Sequence, residues 1–380
     1  MEFIHTLLNL LGALAAAVSL FFGNLAATYL PSETLVSISP PAETRMASST
    51  PAAGSTSTAS SSPAAQKAAS KLPVDASTVA TMPIAPRPAT LPPETPPADP
   101  VALNSQTRAA LVNILCLAGS GVHSISASGV FVDSRGVILT NAHVGEFFLL
   151  KDYPTPNNVN CTIRTGSPAQ AAYHATLVYL PPAWIAKNAS QIALPQAVGT
   201  GEDDYSFLLV TDSVSGTPLP TSFPALPMTS DEPSQGENML LAGYPAGFLD
   251  GFTIEQNLYI SSAFANVTQL YTYGDGQTID LVSIGGTIVS QGGASGGAAV
   301  RASDGSLQGI IATATSADTT AERDLRAVTL AHINRSLAAY GMGGIAALLS
   351  GNIANEAAQF SANVAPAEKA ALVNVLQGGN

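Results

Sequence analysis

The chain is poor in charged residues and carries few cations. Only 11% of its 380 residues are charged, and 26 Asp and Glu residues outnumber 14 Lys and Arg residues, which gives a formal net charge of −12. This balance excludes the basic surface that nucleic-acid-binding proteins need, so we expect no nucleic-acid partner. We interpret the acidity as a means of keeping a Gly- and Ala-rich surface soluble; steering of basic substrates is the alternative.

No Lys or Arg precedes or interrupts the first hydrophobic segment, residues 6–30. At about 1.5 Å per residue, a helix of this length spans a bilayer. The missing basic region disfavours a cleaved signal peptide. We therefore predict an uncleaved signal anchor over residues 1–30, which places the rest of the chain outside the cytoplasm. Cleavage near Ala26 and Ala27 is the alternative.

Aromatic residues are absent from residues 31–100, which hold 14 of the 27 prolines together with long Ser, Thr and Ala runs. Such a segment buries too little apolar surface to offset the entropy of ordering its backbone. The composition predicts a disordered linker over residues 31–104.

Long helical patterns are also missing from the next part of the chain. Short apolar runs separated by Gly, Pro and Asn turns recur from residue 108 to residue 330. This spacing predicts an all-β domain, which we place at residues 105–340. We interpret residues 181–200, which carry the only tryptophan, Trp184, as a surface loop that caps this domain; a substrate-contacting loop is the alternative.

Three motifs of this domain carry the groups that acyl transfer to water requires. They are TNAHV at residues 140–144, DYSFLLV at 204–210 and GGASGG at 292–297. A histidine accepts the proton of a serine hydroxyl, a carboxylate orients the imidazole, and glycines let backbone N–H groups face the oxyanion. The order His, Asp, Ser is that of the chymotrypsin fold.

The segment SGVFVDSRGVILTNAHV at residues 128–144 resembles the histidine region of trypsin-like peptidases of the bacterial Deg, or high-temperature-requirement, type. The other two motifs are similar to the aspartate strand and the nucleophile loop of that family. Ala294 stands where many members have Asn or Asp. The resemblance implies two six-stranded antiparallel β-barrels, the chymotrypsin-like double barrel, followed by a C-terminal helix.

By this resemblance, Ser295 is the nucleophile, His143 the general base and Asp204 the residue that orients His143. Asp203 competes with Asp204, but Asp204 directly precedes the alternating run of a strand that would hold it. The family's oxyanion hole falls on the N–H groups of Gly293 and Ser295.

The resemblance also places the primary specificity pocket at Val289 and Ser290, with Ala312 and Thr313 on the opposite wall. Because none of these positions carries a charge, we expect cleavage after small or medium apolar residues. The remaining histidines form no cluster with cysteines or carboxylates along the sequence. No metal and no organic cofactor is expected.

The chain has only two cysteines, Cys116 and Cys161, on either side of the histidine motif. An exported domain would be oxidised, so we predict a disulfide between them; two buried thiols are the alternative. Residues 341–380 are Ala-rich and predict a helical tail. About forty residues are too few for the peptide-binding PDZ domain that Deg-type proteases usually carry.

Together these features predict a membrane-tethered serine endopeptidase that acts on proteins or peptides. A catalytically silent double barrel that binds peptides is one alternative, and an esterase that uses the same three residues is another.

Overall fold

The computed structural model describes residues 99–378 except 195–198, 275–276, 315–316 and 318, and the backbone alone for residues 313–314. The predicted anchor and the predicted linker up to residue 98 lie outside the described residues. Within the part that is described, no helix is both long enough and apolar enough to cross a membrane.

Helix α1 (Pro100–Ala110) opens the described chain, ahead of the domain boundary predicted at residue 105. Its start is fixed locally, because the Asp99 carboxylate accepts a hydrogen bond of 3.0 Å from the Val101 N–H. Proline at the first helical position lacks an N–H that would otherwise be unpaired. Leu103 of this helix is buried, so α1 belongs to the folded domain.

Six antiparallel strands form a closed barrel in the order β1-β2-β3-β6-β5-β4, as the sequence predicts for the first barrel. The strands are β1 (Leu111–Ala118), β2 (Ile125–Asp133), β3 (Val137–Thr140), β4 (Val159–Thr165), β5 (Gln170–Tyr179) and β6 (Ser206–Ser213). Aliphatic side chains such as Ile114, Ile138 and Ile163 fill the interior and are fully buried. Gly136 makes the tight β2–β3 turn with φ of 89°, a conformation that favours glycine.

The second sheet differs from the prediction of a closed six-stranded barrel. It has seven antiparallel strands in the order β8-β7-β11-β12-β13-β10-β9. They are β7 (Asn238–Gly243), β8 (Ser261–Asn266), β9 (Gln269–Tyr271), β10 (Leu281–Gly285), β11 (Ala298–Arg301), β12 (Leu307–Ala314) and β13 (Leu325–Thr329).

The two edge strands of this sheet, β8 and β9, are consecutive in the chain and are separated only by Val267 and Thr268. The Val267 N–H donates to Glu237 O (2.9 Å), whereas the Thr268 N–H donates to Ser283 O (2.8 Å). The chain therefore bends between two different neighbours at this point. The bend separates β8 from β9, which lie at opposite edges of the sheet.

Helices in the described part lie mainly around the first barrel. They are α2 (Ala142–Leu149), α3 (Pro182–Asn188), a 3-10 helix (Ala189–Ala193), α4 (Gly251–Gln256), α5 (Leu330–Ala339), α6 (Ile345–Ser350), α7 (Ile353–Asn363) and α8 (Ala365–Leu376). Helix α7 packs on β5, and α8 packs on the 3-10 helix and on α3. Apolar side chains of these C-terminal helices join the core of the first barrel.

A disulfide joins Cys116 to Cys161, which confirms the predicted pairing. The two residues lie directly opposite each other on β1 and β4. The bond therefore cross-links neighbouring strands of the first barrel.

Candidate active site

His143 and Asp204 meet where two strands of the first barrel end. His143 lies in the first turn of α2, which begins directly after β3, and Asp204 lies just before β6, the neighbour of β3. The imidazole Nδ1 is 2.9 Å from Asp204 Oδ2 and 3.1 Å from Oδ1. The backbone N–H of His143 also donates to Asp204 Oδ1, at 3.1 Å.

The Asp204 carboxylate is almost completely buried, with 2% of its side chain exposed against 16% for His143. Its backbone carbonyl accepts a hydrogen bond of 2.9 Å from Asn141 Nδ2. Ser206 Oγ in turn donates to the Asn141 carbonyl, at 2.8 Å. These bonds connect the backbone around Asp204 to Asn141, the residue just before α2. They hold the Asp204 carboxylate beside the imidazole.

The Asp203 carboxylate contacts residues other than His143. Its φ of 60° places it in the left-handed region, which is uncommon for a non-glycine residue. The carboxylate accepts hydrogen bonds from Ser336 Oγ (3.1 Å) and Tyr340 Oη (3.1 Å), and it lies 3.4 Å from Lys187 Nζ. The structure thus resolves the choice that the sequence left open: Asp204, and not Asp203, contacts the imidazole.

Trp184 lies close to the imidazole of His143 and contacts Glu146. Sequence reasoning assigned neither residue to the site. The Trp184 and His143 rings are 6.4 Å apart between centroids, and Trp184 Nε1 donates to Glu146 Oε2 at 3.4 Å. Burial, followed by the negative charge of Asp204, raises the pKa of Glu146 well above its usual value. Its place one helical turn after His143 is the only sequence signal that marks it.

Trp184 corrects the interpretation of residues 181–200 as a loop on the surface. Its side chain is 2% exposed, and the residues around it form α3 and the 3-10 helix. A large aromatic ring gains more by packing behind a helix than by facing water. This segment therefore forms part of the wall behind His143.

The nucleophile loop, residues 292–297, is hydrogen-bonded to both sheets. The Ser128 N–H donates to Ser295 O (2.7 Å), and the Ile311 N–H donates to Gly297 O (2.8 Å). Ser128 Oγ donates to Gly293 O, also at 2.7 Å. Because Ser128 lies on β2 and Ile311 on β12, the loop that carries Ser295 sits at the junction of the first barrel and the second sheet.

Two glycines of this loop have no room for a side chain. Gly293 (φ 90°) would place a Cβ 2.6 Å from Tyr244 O, and Gly296 (φ 82°) would place one 2.1 Å from Ser128 O. A Cβ at Gly296 would also lie 2.3 Å from Thr140 Oγ1. The loop is therefore packed directly against the strand that leads to His143.

Two backbone donors of the loop are available to a ligand. The Ala246 N–H donates to Gly292 O at 2.7 Å, and in a trans peptide the following N–H, that of Gly293, points the opposite way. Within the described residues, the N–H groups of Gly293 and Ser295 donate to no protein acceptor. Ser295 Oγ makes no hydrogen bond to His143 in this part of the chain either; in free enzymes that contact is often long and shortens with substrate bound.

The residues predicted for the specificity pocket are mostly buried. Val289 is fully buried within the core of the second sheet, and Ala312 is buried on β12. Ser290 Oγ accepts a hydrogen bond of 2.8 Å from the Thr287 N–H. The backbone of Thr313 belongs to β12, and its side chain lies outside the described part.

Sequence reasoning also missed Arg323, which lies just before β13. Its Nη1 donates to the backbone carbonyl of Ser290, at 3.0 Å. Among the described residues, no group of three or more His, Cys, Asp or Glu side chains is arranged to hold a metal ion.

No curated protein matches the chain. Solved structures that it resembles include the active form of the Rv3671c protease from M. tuberculosis, at 20% identity and a TM-score of 0.39, with 67% of this chain and 93% of that chain covered. They also include the HtrA-type protease AlgW with a decapeptide, at 16% identity and a TM-score of 0.41, with 65% of this chain and 69% of that chain covered.

The family model of the trypsin-like peptidase domain matches residues 127–310. That range contains the histidine, aspartate and serine motifs and most strands of both sheets. The chain carries a trypsin-like peptidase domain.

Proposed function

We propose that the protein is a serine endopeptidase in which Ser295, His143 and Asp204 act as a catalytic triad. The observation that carries the proposal is the contact of His143 Nδ1 with both oxygens of the buried Asp204 carboxylate, at 2.9 and 3.1 Å. This contact fixes the tautomer that leaves Nε2 free to accept a proton. The packing of the Ser295 loop against the same barrel supports the assignment.

The reaction begins when Ser295 Oγ attacks the carbonyl carbon of the scissile peptide bond. Its proton passes to His143 Nε2, and Asp204 stabilises the imidazolium that results. The negatively charged substrate oxygen accepts hydrogen bonds from the N–H groups of Gly293 and Ser295, which donate to no acceptor among the described residues. The C–N bond then breaks, and His143 returns the proton to the leaving amine.

The acyl group is left as an ester on Ser295, and the amine-terminated product departs. Water attacks this ester with His143 again as the base. The second oxyanion occupies the same pair of N–H groups, and its collapse releases the carboxylate product and regenerates the serine. No cofactor enters this sequence of steps.

Labelling with a fluorophosphonate probe tests the triad, because the probe phosphonylates only an activated serine. We expect the wild type and a control variant at the exposed Ser303, Ser303→Ala, to be labelled. Ser295→Ala is expected to lose labelling and all peptide hydrolysis while keeping its melting temperature. Labelling of Ser295→Ala at the wild-type rate would contradict the assignment.

The same samples separate the alternative functions. A catalytically silent peptide-binding barrel would bind peptides without reacting with the probe. An esterase would react and would hydrolyse a short ester, yet leave peptide bonds intact. Parallel assays with a peptide amide and the matching ester decide between an esterase and a peptidase.

We further propose that the domain is tethered outside the cytoplasm. The Cys116–Cys161 disulfide supports an oxidising compartment, and the uncharged residues 6–30 supply the anchor. Light proteolysis of membranes is expected to release the catalytic domain by cleavage within residues 31–98. Recovery of the protein in the soluble fraction, with its amino terminus near Ala27, would instead indicate a cleaved signal peptide.

A further inference from the structure

Arg323 contacts the segment that leads to the nucleophile. Its Nη1 donates a hydrogen bond of 3.0 Å to the backbone carbonyl of Ser290, a fully buried residue. Ser290 and Val289 are the positions where the family resemblance places the primary specificity pocket. The guanidinium therefore contacts the backbone of the segment to which the resemblance assigns this pocket.

The same guanidinium also contacts Ala317 and the ring of Phe248. Its Nε donates 3.2 Å to the carbonyl of Ala317, in the segment that follows β12. The guanidinium carbon lies 5.3 Å from the ring centroid of Phe248, and that ring is 63% exposed. A cation is thus held by two carbonyls and an aromatic face, with part of its surface open to solvent.

No described carboxylate neutralises this cation. The neighbouring Glu322 accepts a hydrogen bond from Thr319 Oγ1. Asp324 forms an ion pair of 2.8 Å with Arg326 instead. Arg323 has only neutral partners among the described residues, so it keeps its full positive charge on an otherwise acidic protein.

We infer that Arg323 gives the enzyme a preference for Asp or Glu immediately before the scissile bond. This inference rests on the proposed function. A carboxylate entering the pocket would gain a charge-assisted hydrogen bond to the guanidinium. A Lys or Arg side chain would meet a like charge, and a large apolar side chain would cover a cation without pairing it.

This specificity departs from the apolar preference that the sequence alone predicts. That expectation rests on the uncharged residues around Val289, and Val289 is fully buried in the core of the second sheet. The positive charge belongs instead to Arg323, which follows β12 in the sequence and contacts Ser290 in the folded chain. Position along the sequence gives no indication of this contact.

Four peptide amides that differ only in the residue before the scissile bond, Glu, Gln, Leu or Lys, test the inference. The ratio of kcat/KM for Glu to that for Gln isolates the charge, because the two side chains have nearly the same shape. We expect this ratio to be about 10 to 100 in the wild type, as charge-assisted hydrogen bonds give. Arg323→Gln is expected to bring this ratio near 1.

Arg326→Gln is the matched control, because Arg326 is only three residues from Arg323, on β13, but is paired with Asp324. It is expected to keep the wild-type ratio. Lowering the pH through the titration of the substrate glutamate, near 4.3, is expected to abolish the preference, since a neutral carboxyl no longer pairs with the guanidinium. Arg323→Glu is expected to favour Lys over Glu.

Three results would overturn the inference. The first is a wild type that cleaves after Glu no faster than after Gln, and the second is an Arg323→Gln variant that keeps the wild-type ratio. The third is an Arg323→Gln variant that slows the cleavage of all four peptides equally, as the loss of a residue that only joins two loops would do. If Arg323→Gln does not fold, the wild-type ratio and its pH dependence decide alone. A wild-type enzyme that neither reacts with the fluorophosphonate nor cleaves any peptide would overturn the proposed function as well.

Discussion

Asp203 and Asp204 are adjacent in the sequence, yet their carboxylates hold different parts of the domain. Asp204 accepts the hydrogen bond of His143 Nδ1, at 2.9 Å. Asp203 accepts hydrogen bonds from Ser336 and Tyr340, at the end of the helix that follows the second sheet. The left-handed conformation of Asp203 turns the chain so that the two side chains diverge. Asp204 therefore orients the candidate base His143, and Asp203 anchors the loop that carries Asp204.

Exchange of each aspartate for asparagine separates these two roles. Asp204→Asn is expected to lower kcat by about 10⁴-fold with little change in melting temperature, because an amide at this place favours the wrong imidazole tautomer. Asp203→Asn is expected to lower the free energy of unfolding by about 1–3 kcal/mol, because it weakens buried hydrogen bonds. Its kcat should stay within about tenfold of the wild type at a temperature where it is folded.

Steady-state kinetics and thermal denaturation of both variants check this prediction. A loss of catalysis in Asp203→Asn alone would mean that the aspartate has been assigned wrongly. Equal losses of stability in the two variants would mean that the two carboxylates do not have separate roles.

Glu146 is expected to act in its neutral form. Burial raises its pKa well above the usual value, so glutamine should replace it with little change in charge. We expect Glu146→Gln to keep kcat/KM within a few-fold at pH 7. Glu146→Ala removes the acceptor of Trp184 Nε1 and leaves a buried donor unpaired, which should cost about 1–3 kcal/mol of stability.

Trp184 is the only tryptophan of the chain, so intrinsic fluorescence reports directly on the wall behind His143. The emission of Glu146→Gln should match that of the wild type, and that of Glu146→Ala should shift. A large fall in kcat/KM for Glu146→Gln at neutral pH would show that a negative charge is needed at this place.

The sequence predicts the parts of the site that depend on short motifs and strand order. His143, Asp204 and Ser295 each belong to a short motif that lies beside a strand, β3, β6 or β11. Glu146 and Arg323 could not be predicted in the same way. Each acquires its surroundings from residues far away in the chain: Glu146 from Trp184, and Arg323 from Ser290.

The break in the second sheet has a similar origin. At the bend between β8 and β9, the N–H groups of Val267 and Thr268 find acceptors on two different neighbours. A pattern along one strand does not contain the positions of its neighbours. The first barrel closes as predicted.

The disulfide is expected to stabilise the first barrel substantially. Cys116 and Cys161 are separated by 45 residues, and closing a loop of this length contributes about 4 kcal/mol in the chain-entropy model. The Cys116→Ala/Cys161→Ala double variant should therefore unfold at a lower urea concentration, with a steeper slope of free energy against urea, because its unfolded chain is less compact without the cross-link. Mass spectrometry of unreduced, alkylated protein checks the bond itself, and two labelled thiols would contradict it.

Glu368 makes stability depend on pH. Its side chain is buried, neither carboxylate oxygen has a hydrogen-bond partner among the described residues, and burial raises its pKa to about 8. The unfolded chain releases this proton near pH 4.5, so the folded state holds more protons between about pH 4.5 and 8. The free energy of unfolding therefore falls as the pH rises through this window, by up to roughly 1.4 kcal/mol per pH unit.

Glu368→Gln removes this titration and should stabilise the protein at pH 8 while changing little at pH 4.5. Urea denaturation at both pH values, with the exposed Glu255→Gln as a control, measures the difference. Because Glu368 lies on α8, which packs against α3 and the 3-10 helix, its ionisation at alkaline pH should loosen this helix first. Hydrogen exchange should then accelerate in residues 365–376 of the wild type between pH 7 and 9, after correction for intrinsic rates. An equal effect in Glu368→Gln would assign the loosening to another group.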